Sequence, residues 1–488
     1  MAFMKKPHRV RPVVVPVLIA LLITLLGSLL GPAMASAQPA PPAQNYSIAT
    51  DTTFAPFEFQ DESGKLVGID MDLLAAISVD QGFDYTVEQV GFDTALQGVT
   101  SGQFNGMIAG MSITDERKAT FDFSEPYFDS GVQMAILDSN DDITGYEDLR
   151  GKSVAVKNGT EGATFAASIA DQYGFTIRSF DDSATMFEEV RTGNSAAAFE
   201  DYPVLAYGIT QGNGFKTVTE KEAGASYGFA VAKGTNAQLL DQFNTGLENL
   251  RANGQYDQIL DTYLNADAST ADTSIPGLIA SSWQLLLKGL WLTIVLTVIS
   301  IAIALVLGGI FGLFRVSTNI VLRGIGTTYV DIFRGTPLLV QAFFIYFGVP
   351  AALNFQMSAF TAGIITLSLN AGAYMAEIVR GGILAVDKGQ MEASRSLGIS
   401  YLKSMRKVVM PQAIRTMIPS YINQFVITLK DTSLLSVIGL AELTQTGRLI
   451  IARNFESFNM WLIVGVLYFI IIMALTKLSN RLEKRINK

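Results

Sequence analysis

The chain changes character once, near Ile275, and that change restricts its architecture more than any other feature. Before it, short apolar runs alternate with helical patterns in an acidic stretch that begins Tyr46-Ser-Ile-Ala-Thr-Asp51. After it come five apolar segments, near 285–313, 328–349, 360–384, 411–438 and 461–475, each close to the roughly 20 residues of a spanning helix. No single water-facing core accommodates both parts. Two modules in series are expected: a globular α/β domain, then an all-α membrane domain.

Charge orients the spans, because Lys and Arg favour the cytoplasmic side. With 47–266 outside, the first inner loop carries Arg315 and Arg323, and the second Lys388, Arg395, Lys403, Arg406 and Lys407. The tail holds Lys477, Arg481, Lys484, Arg485 and Lys488, whereas the outer loops hold little beyond Arg448 and Arg453. Five spans with a cytoplasmic C-terminus in a cell membrane satisfy this pattern. At the other end, Lys5, Lys6, Arg9 and Arg11 precede an apolar stretch and the small-residue site Ala35-Ser-Ala37. Residues 1–37 therefore read as a secretory signal peptide, or as an uncleaved anchor, with 38–46 a proline-rich linker. Either way the following domain is expected to be exported.

Composition narrows the chemistry. There is no Cys, and the one His, His8, lies in the targeting segment, so thiolate sites, His-based triads and His zinc sites are excluded from the mature chain. A net charge of −9 argues against nucleic-acid binding as the main activity. No catalytic residues and no metal ligands are assigned.

In the exported part, Ile48-Ala-Thr50, Gly106-Met-Ile-Ala-Gly110, Ser153-Val-Ala-Val156 and Ala196-Ala-Ala-Phe199 read as strands, and 71–79 as a helix. This is the βα alternation of an open parallel sheet. Two extended segments, 132–137 and 227–232, mark a chain that leaves one lobe and returns to it. The expected domain, 47–266, has lobes 47–136 plus 230–266 and 137–229, with a ligand cleft between them. A linker at 267–280 then leads into the membrane domain, 281–488.

The motifs Asp51-Thr-Thr-Phe-Ala-Pro-Phe-Glu-Phe59, Val67-Gly-Ile-Asp-Met-Asp72, Ser112-Ile-Thr-Asp-Glu-Arg-Lys118, Phe121-Asp-Phe-Ser-Glu-Pro-Tyr127 and Val156-Lys-Asn-Gly-Thr160 cover much of this domain. They resemble the polar amino-acid binding proteins of ABC importers, those for glutamine above all. A free amino acid is a zwitterion, so its site needs an anion receptor and a cation receptor held apart. Arg117 offers a planar fork to the α-carboxylate and follows Thr114, a good N-cap. The helix dipole there also favours an anion. Asp201 is the candidate partner of the α-ammonium; its alternative use is as an N-cap ahead of Pro203, and Glu200 stands beside it. By resemblance, Phe54 and Phe92 enclose the ligand stem, and Ala109, Gly110, Ser112 and Thr114 add hydrogen bonds. Asp51 and Lys157 flank the ligand side chain, with Thr160 also at the site. Glu161 departs from the pattern, which has glycine there.

In the membrane part, Phe333-Arg-Gly-Thr-Pro-Leu-Leu-Val-Gln341 resembles the signature of amino-acid ABC permeases. Glu392-Ala-Ser-Arg-Ser-Leu-Gly398 with Met410-Pro-Gln-Ala-Ile-Arg415 resembles the loop such permeases press into their ATPase subunits. Glu392, Ala393, Ser394 and Gly398 are the expected coupling residues; Ser394 stands where alanine is usual. Asn370, Glu377, Arg380, Gln424, Lys430 and Asp431 place polarity where it is costly. No Gly-x4-Gly-Lys-Ser/Thr phosphate loop occurs, so ATP and Mg are expected in a separate ATPase, with no cofactor bound by this chain. The expected entity is a fused binding-protein and permease subunit of an ABC amino-acid importer, most simply for glutamine, working as a homodimer with ATPase subunits. The alternatives are a ligand-gated channel or receptor on the same binding fold and an enzyme such as a dehydratase. The first inserts its pore within the binding domain, and the second needs neither spans nor a coupling loop.

Overall fold

The computed structural model describes residues 45–264, 274–353, 355–454 and 456–486. The expected signal segment, most of the 38–46 linker and the first half of the 267–280 linker lie outside the described residues.

The globular half is built on two sheets. In the first, Asn45–Thr50 lies between the parallel strands Asp84–Gln89 and Gly106–Met107, and Ala230–Ala232 and Phe121–Phe123 complete it. Ile48 pairs with Val87 on one side and Gly106 on the other, so its strand has no free edge there, and its side chain is fully buried in the cluster that includes Ile69 and Leu73. The helix Ile69–Gln81 packs here and ends at Gly82, whose φ of 69° turns the chain. The second sheet runs Thr176–Phe180, Ser153–Lys157, Ala197–Asp201, Gly131–Leu137, Phe215–Thr217, the first three strands parallel. Val154, Ala155 and Val156 are fully buried, as an apolar strand between two neighbours should be.

Three details differ from the sequence reading. Gly131–Leu137, expected in the first lobe up to 136, pairs within the second sheet. The strand begun at Gly106 stops at Met107, leaving 108–110 free to turn toward the cleft. The returning strand is only Ala230–Ala232, while Tyr227 makes isolated bridges to Ser112 and Phe128.

In the other half, Ile275–Val316, Ala359–Leu384 and Ser457–Lys477 are each long and apolar enough to cross a membrane. Two bent helix pairs raise the candidate spans to five if each counts as one: Ile320–Gly335 with Leu338–Leu353, meeting at 106°, and Tyr401–Ile438 with Leu443–Arg453, at 47°. The first break falls at Thr336-Pro337 inside the permease-like motif, where proline cannot continue the helix. Ile275–Val316 packs along Ala359–Leu384 through Gly308 and Gly312. A Cβ on Gly308 would sit 2.4 Å from Cβ of Met375, so the close approach requires glycine.

The binding domain rests on the membrane half through both lobes. Thr94 Oγ1 donates to the Val437 carbonyl at 2.8 Å, and Gln103 Nε2 to the Met357 carbonyl. From the second lobe, Asp182 lies 4.0 Å from Arg448 on the helix Leu443–Asn454.

Candidate functional site

Three parallel strands end at the cleft, each delivering one charged group from its carboxyl end, where open α/β sheets usually place their ligands. Asp51 follows Asn45–Thr50, Lys157 closes Ser153–Lys157, and Asp201 closes Ala197–Asp201.

Asp51 and Lys157 meet directly across the lobes. Lys157 Nζ lies 2.5 Å from Asp51 Oδ2, with both side chains almost wholly buried. The other Asp51 oxygen accepts from the Thr52 and Thr53 amides at 2.6 and 3.2 Å and from the Thr53 hydroxyl at 3.1 Å. Burial alone would pull the Lys157 ammonium down, but the carboxylates of Asp51, Glu200 and Glu58 hold it above the ordinary lysine range. Its Nζ also lies 5.1 Å from the Phe54 ring centre and 5.6 Å from that of Phe92. The two rings, both buried, therefore flank the ion pair.

Arg117 is in the first turn of Asp115–Lys118, and the Thr114 hydroxyl caps that turn by accepting from the Arg117 amide at 3.2 Å. Its guanidinium lies 5.4 Å from the Phe92 ring centre and donates to the Ser112 carbonyl at 2.9 Å and to the Gly159 carbonyl of the other lobe. The fork thus holds two loops as well as facing the cleft.

Asp201 occupies the N-cap position of Tyr202–Thr210, yet makes no side-chain cap bond. Oδ2 accepts from Tyr227 Oη, while Oδ1 is buried and has no partner among the described residues. Burial, reinforced by the adjacent Glu200, pushes the Asp201 carboxyl up to about 8. Glu200 is already committed, accepting from the Ser183 hydroxyl at 2.7 Å and from the Asp201 amide at 3.0 Å. Of the two carboxylates, Asp201 is the one left short of a donor.

The remaining expected residues surround this centre but spend their polar groups internally. The Gly110 amide donates to Asp70 Oδ2 at 2.9 Å, and Ala109 is buried beside it. Thr160 caps Glu161–Tyr173 and donates to the Lys157 carbonyl at 2.8 Å. Glu161 turns its carboxylate to the Ala225 amide, 2.9 Å away. Sequence reasoning missed what lies beneath. Glu58 is fully buried beside Asp70, with no hydrogen-bond donor to either carboxyl oxygen among the described residues, and Asp70 accepts from Tyr127 Oη at 2.9 Å. Burial first, then Asp70 and Asp51, push Glu58 well above the usual carboxylate range; burial takes Asp70 to about 6. Charged residues inside two quoted motifs were the available signal, but only the fold brings them together.

On the membrane half, Lys388–Ser396 is a short helix capped by Asp387, and Gly398 turns the chain with φ 78°. Glu392 and Ala393 are exposed. Ser394 is not: its hydroxyl lies 2.7 Å from that of Ser404, so it faces its own chain rather than a groove on another. Leu397 and Leu402 are instead the exposed apolar side chains of this loop.

A two-lobed binding domain whose cleft gathers opposite charges, joined to a helical permease domain, defines a fused solute-binding and transport protein. The bacterial extracellular solute-binding proteins of family 3 match residues 46–266, and the binding-protein-dependent transport system inner membrane components match 304–488. The chain is 42% identical over 202 residues to the glutamine transport system permease protein of Escherichia coli (strain K12), covering 41% of this chain and 92% of that protein. It is 34% identical to the arginine transport system permease protein of Bacillus subtilis (strain 168), covering 46% of this chain and 98% of that one. Its binding domain is 44% identical to substrate binding domain 2 of the Lactococcus lactis glutamine permease protein, solved in an open conformation, with a TM-score of 0.37 over 47% of this chain and 99% of that one. The chain belongs to the binding-protein-dependent transport permeases, here fused to a family 3 solute-binding domain.

Proposed function

We propose that the chain is the substrate-binding and permease subunit of an ATP-driven importer for polar amino acids, with glutamine as its preferred substrate. The observation that carries this reading is the pairing of a charged fork at Arg117 with the unpartnered Asp201 oxygen in one cleft. These are the two receptors an α-carboxylate and an α-ammonium need. The glutamine permease of E. coli, 42% identical over the membrane half, favours that substrate. Asp51 and Lys157 suit a carboxamide, which accepts through its carbonyl and donates through its amino group.

In this reading the lobes close on the amino acid while resting on the outer face of the membrane domain. Met357, at the contact with the binding domain, precedes Ala359–Leu384 and the coupling helix Lys388–Ser396 follows it, so the two lie at opposite ends of that helix, which suits an external binding domain and internal ATPase subunits. A second copy of the chain completes the passage. Glu392→Lys or Gly398→Val is expected to leave amino-acid binding intact and to reduce ATP-driven uptake at least about tenfold. The measurement is labelled glutamine uptake into liposomes holding the chain and its ATPase. Wild-type uptake by both variants would exclude this loop as the coupling element.

Affinity should also follow pH. Asp201, raised to about 8, holds a proton at neutral pH in the closed cleft, and an arriving ammonium favours the carboxylate. Binding therefore releases a proton, and affinity falls as pH drops below about 8, by at most about tenfold per unit. Glu200, Glu161, Lys157 and Tyr227 share that environment. Titration calorimetry at pH 7 in buffers of different ionisation enthalpy reads the proton directly. No proton release would remove Asp201 as the ammonium receptor.

A further inference from the structure

Beneath the cleft lies a carboxyl pair that the contacts proposed for the ligand leave unused: Glu58 on the strand Glu58–Gln60 and Asp70 in the first turn of Ile69–Gln81. Backbone bonds bring the two together. The amides of Ile69 and Asp70 donate to the carbonyls of Pro56 and Phe57, each at 3.0 Å, which pins the helix start to the residues just before Glu58. Gly68 permits the approach, since a Cβ there would sit 2.1 Å from the Phe57 carbonyl oxygen. Both carboxyl groups are sealed from water and lie within hydrogen-bonding reach of each other.

The donors around the pair are unequally shared. Asp70 Oδ2 accepts from the Gly110 amide and from Tyr127 Oη, both at 2.9 Å, and the helix N-terminus favours its charge. Asp70 Oδ1 and both oxygens of Glu58 have no donor among the described residues. Two ionised carboxylates packed together away from water repel, and buried acceptors without donors are costly. One proton between them removes the repulsion and supplies a donor. Glu58 is the member that holds it, because Asp70 already has two donors. Burial, Asp70 and Asp51 favour the neutral form of Glu58 against the weaker opposing pull of Lys157. The other charged groups on elements packed here face elsewhere. Asp72 accepts from Tyr263 Oη at 2.7 Å, and Lys65 is exposed. On Leu443–Asn454, which packs along Glu58–Gln60, Arg448 lies against Asp182 and Arg453 beside Glu62 and Asp61.

What the pair holds is the floor of the cleft. Gly110 has a φ of 52°, and a Cβ on it would lie 2.3 Å from Cε1 of Phe54, so its backbone rests directly against that ring. Phe54 in turn lies opposite Glu58 in the antiparallel pair Thr53–Phe54 with Glu58–Gln60, and its ring flanks Lys157. A closed circuit of contacts therefore runs from Asp70 through Gly110 to Phe54 and back to Glu58.

We propose that Glu58 and Asp70 share a single proton and act as a positioning pair: Glu58 donates to Asp70, Asp70 fixes Gly110, and Gly110 seats Phe54 where the ligand side chain is received. The proposal rests on the importer reading for the identity of the ligand, and adds to it two residues that set affinity without touching the amino acid. Its pH dependence has a definite sign. Burial keeps Glu58 protonated well above the ordinary carboxylate range, so the pair is intact at neutral pH and is lost as pH rises through that raised value. This is the opposite direction to the loss that Asp201 produces on the acid side.

The test uses the full chain in lipid nanodiscs. Glu58→Gln keeps a donor for Asp70 without a titrating proton, and should hold glutamine affinity within about threefold of wild type at neutral pH. Glu58→Ala and Asp70→Asn each break the circuit and should weaken binding at least about tenfold. An infrared difference spectrum of wild type against Glu58→Gln at neutral pH should show the carbonyl band of one protonated carboxyl group in wild type alone. The ratio of wild-type to Glu58→Gln affinity cancels the titration of Asp201 and of the ligand ammonium, and should fall together with that band as pH rises. A tenfold loss in a normally melting Glu58→Gln chain, wild-type affinity in Glu58→Ala, or a difference spectrum without the band would overturn the proposal. So would a band that disappears with no change in the ratio. The Gln variant and the spectrum decide the matter even where Glu58→Ala does not fold. The two readings fail separately: a wild-type chain that binds no glutamine refutes the importer assignment, whereas the infrared comparison needs no ligand and judges the shared proton alone.

Discussion

Replacing Arg117 by alanine is expected to abolish amino-acid binding at micromolar concentrations while leaving the domain folded. Two losses combine. The α-carboxylate loses a charge-assisted fork, each bond of which contributes about 1.5–3 kcal/mol. The lobes also lose the bridge from the guanidinium to the Gly159 carbonyl. Together these correspond to at least about a hundredfold in affinity. The fold should tolerate the change, because Arg117 is only half-buried, on a single helical turn that Thr114 caps through the backbone. Binding by calorimetry and melting by circular dichroism check both parts. Micromolar affinity in a normally melting variant would remove Arg117 from the site.

The second large effect concerns selectivity. Lys157 and Asp51 form a buried pair that crosses the lobes, so a ligand side chain bound beside it would meet a cation and an anion together. Glutamine satisfies both through its carboxamide. Glutamate sets a second carboxylate against Asp51, a repulsion of about 4 kcal/mol at 4 Å and an effective dielectric near 20. Its attraction to Lys157 returns part of this, leaving about 2 kcal/mol, or roughly thirtyfold in favour of glutamine. Asp51→Asn should narrow that ratio. Lys157→Met leaves Asp51 without its ion-pair partner in the closed cleft and should weaken glutamine by about a hundredfold or more. Competition titrations at neutral pH read each ratio; equal affinity of the wild-type chain for glutamine and glutamate would contradict this role for the pair.

Local motifs carried the outline of the site into the sequence. Arg117 and its cap Thr114 lie three residues apart and can be read from local chemistry, whereas Asp51, Lys157 and Asp201 were singled out by the resemblance of their motifs, and the fold places all three at strand ends facing the cleft. Partnerships across lobes and elements were not legible. Nothing near Asp51 announces that Lys157 closes onto it, nor near Asp182 that Arg448 approaches it from the membrane half. Glu58 and Asp70 stand 12 residues apart in the chain and become a buried carboxyl pair only when the short strand Glu58–Gln60 packs against the helix Ile69–Gln81. Ser394 was placed on the coupling surface by its motif, and only Ser404, ten positions on, reveals that it faces inward. In the membrane half, hydropathy located the second span. The signal for its 106° break, Gly335 and Pro337 within one motif, is easily lost in an apolar stretch.

The most direct measurement is titration calorimetry of the purified whole chain with each of the twenty amino acids at neutral pH. Saturable glutamine binding at the outer site, weaker glutamate binding there and no detectable arginine or lysine binding is the predicted pattern. A chain that binds no free amino acid, or binds arginine more tightly than glutamine, would contradict the account.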